Sequence, residues 1–124
     1  MGVSILNKRL PEDVKQTCLW LVRGYERRRR LYKDLSAPGK RRACRKCAKE
    51  LERVEAVENA LESIGGDIES MEVRLKLRTA MLQNIRSGRR YPYEKLGLDA
   101  VSRSDFYRRK NRFLADVAER MGMI

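Results

Sequence analysis

The sequence predicts an all-α fold, a long N-terminal helical hairpin followed by a C-terminal helix-turn-helix bundle. Three observations lead there. Apolar residues recur at three- and four-residue steps along most of the 124 residues. The few Gly and Pro residues fall mainly where those stripes stop. β-branched residues are scarce and no five-residue run alternates cleanly, so no strand is expected.

From Pro11 to Leu35 the apolar positions are Val14, Cys18, Leu21, Val22, Tyr25, Leu31, Tyr32 and Leu35. This is the stripe of an amphipathic helix with Pro in its first turn. Ser36-Ala37-Pro38-Gly39 reads as a turn. The next helix is expected from Lys40 to Ile64, with Ala43, Cys47, Leu51, Val54, Val57, Leu61 and Ile64 in a near-heptad stripe. Gly65-Gly66 ends it. Asp67 is expected to cap a further helix, whose apolar side is Ile68, Met71, Leu75, Leu77, Met81, Leu82 and Ile85. Ser87-Gly88 stops that helix, and Arg89-Arg90-Tyr91 links it onward. Pro92 to Leu96 is expected as a short helix, Gly97 to Val101 as a connection. The last helix runs from Ser102 to about Met121, with Ser102 as its cap and Asp105 at the capping-box position. The chain therefore divides into a basic hairpin, residues 1–66, and a helix-turn-helix part, residues 67–124.

Charge bounds the partner. Lys and Arg number 29 against 17 Asp and Glu, a formal net charge of +12. Self-repulsion of that size is relieved by a polyanion, and nucleic acid is the usual one. An acidic membrane surface and an acidic protein are the other classes. The start MGVSILNKRLPED has no apolar core of a leader and no run of 18 apolar residues follows, so the expectation is a soluble intracellular protein not bound to membrane.

The stretch from Tyr91 to Phe113 has a helix-turn-helix layout, a short helix, a tight turn, then a Ser-capped longer helix. In such units the second helix enters the major groove of double-stranded DNA. Phe106, Phe113, Val117 and Met121 form its inward face, with Leu114 beside it. Arg103, Ser104, Tyr107, Arg108 and Asn111 are left outward as base-reading candidates. Arg pairs bidentately with guanine, Asn does so with adenine, and Ser or Tyr binds phosphate. Arg86, Arg89, Arg90, Ser102, Arg109, Lys110 and Arg112 are the phosphate candidates beside them. Residues 86 to 112 hold nine basic and three acidic residues, a local +6. The plainer reading of this run is the solvated face of an amphipathic helix.

The segment NIRSGRRYPYEKLGLDAVSRSDFYRRKNRFLADVAERMGM resembles the C-terminal part of phage-encoded transcription regulators of the ArpU and RinA type, which are themselves similar to the DNA-binding region 4 of sigma factors. The shared features are the helix ending in NI, a short Tyr-containing helix, the run Ser-Arg-Ser-x-aromatic-Tyr-basic, and a closing Ala-x-x-Met-Gly at Ala118 to Gly122. About 60 residues carry the likeness. It implies a regulator of late phage genes, for packaging, morphogenesis or lysis, acting with RNA polymerase, and it carries Ser102, Arg103, Ser104, Tyr107 and Arg108 over as recognition-helix residues. Lys95 and Asp99 depart from the pattern, standing where the first helix of the unit carries apolar residues. A small-terminase-like packaging protein and a non-specific structural nucleic-acid binder are the alternatives.

The hairpin carries a second basic concentration. Residues 23 to 49 hold twelve basic residues and two acids, a local +10, whereas residues 50 to 62 hold five Glu and one Arg. Arg27, Arg28, Arg29, Arg30, Lys40, Arg41, Arg42, Arg45 and Lys46 collect at its tip as phosphate candidates. The tip suits DNA phosphates, an acidic protein surface such as that of RNA polymerase, or solvent alone. The apolar stripe of the hairpin leaves a homodimer open. Cys44-x-x-Cys47 does not read as a metal or redox motif. There is no His, a structural zinc site wants four ligands, and Cys18 lies turns away. With no His for general-base work, no Gly-rich phosphate loop and no G-x-S-x-G, no enzyme and no cofactor is expected.

Overall fold

The computed structural model of the chain describes residues 10–33 and 45–124, with the backbone alone at 33 and 45–47. Among these residues it is all-helical. The elements are α1 (Glu12–Arg23), α2 (Tyr25–Lys33), α3 (Arg45–Ser63), α4 (Met71–Arg86), a 3-10 turn (Tyr93–Lys95) and α5 (Arg103–Arg120). The expected turn at 36–39, Lys40, Arg41, Arg42 and Cys44 lie outside the described residues, as do the side chains of Arg45, Lys46 and Cys47.

The single helix expected from Pro11 to Leu35 is broken once, at Gly24, into α1 and α2. The break leaves the Leu21 carbonyl to a side chain, and Arg28 Nη1 donates to it at 3.1 Å. A Cβ at position 24 would stand 2.4 Å from that same Nη1, so the guanidinium lies against the backbone only because residue 24 has no side chain. α2 then packs along α3 in the antiparallel sense. The Tyr25 hydroxyl donates to Glu58 Oε2 at 3.0 Å, and Arg28 Nε pairs with Glu50 Oε2 at 3.2 Å. The acidic run of α3 thus faces the basic run of α2.

The cap of α4 lies three residues later than expected, at Ser70. Ser70 Oγ accepts from the Val73 amide at 3.3 Å, the role assigned to Asp67. Asp67 instead accepts from both Nη groups of Arg109, at 2.8 and 2.7 Å. Residues 64–67 form a turn, which takes Asp67 out of the cap position. Leu77, Met81 and Ile85 are buried as expected, but Met71 and Leu75 are exposed on the other side of α4, and Leu31 is exposed on α2.

The short helix expected over Pro92 to Leu96 is a three-residue 3-10 turn. Gly97, at φ +66°, turns the chain out of it. The Tyr93 hydroxyl then spans the connection, donating to the carbonyls of Leu98, at 3.1 Å, and Val101. α5 follows as expected, with Ser102 Oγ accepting from the Asp105 amide at 3.2 Å. The core does not divide at residue 66. Cys18, Leu21 and Val22 of α1, Val57 and Leu61 of α3, Leu77 and Met81 of α4, and Phe106, Phe113, Leu114 and Val117 of α5 belong to one buried cluster. α5 packs against both α1 and α3, so both halves of the sequence hold it in place.

Candidate nucleic-acid interface

The inward face of α5 is anchored. Phe106, Leu114, Val117 and Ala118 have no measurable exposure, and Phe113 has 2%. Phe106 stacks at a tilt on Tyr93, with ring centres 5.9 Å apart, and meets the Tyr107 ring edge-on at 5.3 Å. Burying two Phe rings fixes the rotation of the helix about its axis. What points outward then follows from the helical period. Residues 103, 104, 107, 108 and 111 span an arc of about 140°. Arg103, Ser104, Arg108 and Asn111 are exposed, and Tyr107 is half-buried, its ring resting on Phe106.

Two carboxylates hold the arginines of this face. Arg103 Nε donates to Glu94 Oε1 at 3.1 Å, and its guanidinium lies 5.1 Å from the Tyr107 ring centre. Among the described residues, the Nη groups of Arg103 make no hydrogen bond. Arg108 Nη2 pairs with Asp105. Asp105 does not complete a capping box with the Ser102 amide. Its second oxygen takes Arg109 Nε at 3.1 Å. Burial works against its charge, but the hydrogen bonds from Arg108 and Arg109 win and hold its carboxyl below the usual range. Ser102 is exposed, and its hydroxyl, an acceptor in the cap, keeps a proton to donate.

The phosphate candidates divide into two groups. Arg89, Arg90 and Arg112 are exposed, as is Arg86, which pairs with Glu26 at 3.0 Å. On α2, Arg27, Arg29 and Arg30 are exposed, with Arg29 Nε 3.6 Å from Glu58. Three others make contacts within the fold. Arg28 is 3% exposed, held by the Leu21 carbonyl, by Glu50 and by the Trp20 ring 4.1 Å away. Arg109 is clamped between Asp67 and Asp105, which push its guanidinium still further above the usual arginine range. Lys110 is half-buried and donates to Asn84 Oδ1 at 2.8 Å.

Sequence reasoning missed Asn84. It is 3% exposed and its Nδ2 donates to the Tyr91 carbonyl at 2.9 Å, joining α4 to the connection that leads into α5. An Asn on the apolar side of a helix was the available signal. Among the described residues, no helix is long and apolar enough to cross a membrane. Comparison with protein-family models, with curated proteins and with solved structures finds no match.

Proposed function

We propose that this chain is a sequence-specific DNA-binding regulator of transcription that lays the N-terminal half of α5 in the major groove. The observation that carries the reading is the division of α5. One face is locked by Phe106, Phe113, Leu114 and Val117, and the other presents Arg103, Ser104, Arg108 and Asn111 to solvent. These are side chains whose donors and acceptors match base edges. Arg89, Arg90 and Arg112 supply phosphate contacts around it, and Arg27, Arg29 and Arg30 supply them further away. The net charge of +12 favours the same partner. The resemblance to phage regulators of the ArpU and RinA type supports activation of late genes through RNA polymerase.

Selection from a pool of random duplexes tests the reading. A specific regulator enriches one site and binds it ~10³–10⁷-fold more tightly than random duplex at fixed salt. Equal affinity for the enriched and random duplexes would leave only a non-specific binder.

A further inference from the structure

The last turn of α4 gathers cations from two other helices. Asn84 Oδ1 takes the Lys110 ammonium of α5 at 2.8 Å, and the next residue, Ile85, takes Arg23 Nε of α1 on its carbonyl at 3.2 Å. Lys15 stands two turns before Arg23 on α1, and its charge acts on Lys110 together with that of Arg23. Burial, and then the positive charges of Lys15 and Arg23, push the Lys110 ammonium below the usual lysine range. No carboxylate is among the groups acting on it. Among the described residues, Lys15, Arg23 and Lys110 form no ion pair, in contrast to Arg28, Arg86, Arg103 and Arg109.

A helix C-terminus draws cations, but its dipole is worth only roughly half a negative charge. Three positive charges exceed it several-fold. The surplus is partly desolvated, since Lys15 and Lys110 are half-buried, and Asn84 gives Lys110 one neutral acceptor for three N–H donors. Arg23 spends only Nε on Ile85, which leaves its Nη groups to an outside acceptor. The Lys110 ammonium also lies 5.8 Å from the Tyr107 ring centre, so the cluster adjoins the outward face of α5.

We propose that Lys15, Arg23 and Lys110 form a phosphodiester-binding site, through which α1 grips the DNA backbone beside the groove that α5 enters. This rests on the reading of α5 as a recognition helix and adds a contact element to it. A phosphate oxygen gives the three cations the anion with which none of them pairs among the described residues, and it fixes the rotation of α5 in the groove through a helix that does not read bases.

The test is the salt dependence of binding to the selected duplex, measured for the full chain and for the Lys15→Gln, Arg23→Gln double variant. Removing one phosphate interaction lowers the slope of log K against log salt by about 0.9. The double variant, which strips two of the three cations from one phosphate, is expected to lower the slope measurably and by no more than one such step, with affinity for selected and random duplexes reduced by the same factor. Arg23→Lys, which keeps the charge, is expected to hold the parent slope, which separates phosphate binding from the Ile85 bond alone. An unchanged slope in the double variant, with the parent still preferring its site, overturns this inference alone. A parent that prefers no site overturns the recognition reading and this inference with it.

Discussion

Arg28 and its neighbours carry like charges and opposite roles. Arg27, Arg29 and Arg30 are exposed on α2, while Arg28 is sealed over Gly24 against Leu21, Glu50 and Trp20. Removing one partner of a buried pair leaves the other charge uncompensated, at a cost of ~3–5 kcal/mol. Arg28→Ala should approach the lower end of that range, because Glu50 keeps Arg53 at 2.7 Å. Thermal or denaturant unfolding checks it. Arg27→Ala should leave stability nearly unchanged and lower affinity for all duplexes alike. If the two variants unfolded alike, Arg28 would belong to the surface with its neighbours. Little of this division was legible in the sequence, since one arginine among four in a row gives no sign of burial by itself. The only sequence signal was a glycine four residues before it, at the one place where a helix surface can admit a guanidinium.

At the scale of elements, α5 is the part most legible in sequence. Its cap, its apolar face and its outward residues all follow from one period and one Ser, and no distant residue needs to be known. Ser102→Ala removes the acceptor for the Asp105 amide and should cost ~0.5–2 kcal/mol. A melting curve of the variant matching that of the parent would show the cap to be idle. The connection before α5 was less legible. Pro92 marked its start, but the 3-10 turn and the bracing of Leu98 and Val101 by the Tyr93 hydroxyl depend on a ring that Phe106 supports from another element. The start of α4 was misread for a related reason. Asp67 and Ser70 are both good caps locally, but the turn over residues 64–67 takes Asp67 out of the cap position, and its carboxylate pairs with Arg109, 42 residues further along the chain. Local pattern resolves helices whose ends are set locally and fails where one of two candidate caps is engaged elsewhere.

At the scale of the molecule, α5 is tied into one core and clamped at its rim. The Asp67–Arg109–Asp105 network joins the turn after α3 to α5. Hydrogen bonding from Arg109 holds the Asp67 carboxyl at about 2, against 3.8 for a free group. A depressed carboxyl stabilises the fold fully above the free value, and its contribution is lost as pH falls through the folded value. The parent should therefore lose stability between pH ~4 and ~2 in part through this group, and Asp67→Asn should show a shallower acid limb. Asp67 is largely exposed, so at neutral pH the substitution should cost no more than ~1 kcal/mol. Identical acid limbs would show that the clamp does not form in solution. The apolar stripes of the N-terminal helices cover α5 as well as each other, so residues from both sides of position 66 share one buried cluster.

The central claim is that the outward face of α5 reads bases, and the discrimination ratio between a selected duplex and a scrambled one tests it most directly. Measured at one salt concentration, Arg103→Ala or Arg108→Ala should shrink the ratio by ~1–3 kcal/mol for each base interaction removed, with affinity for the scrambled duplex changed far less. A ratio unchanged in both variants would contradict the account, placing these arginines on a solvated helix surface and nowhere near a base.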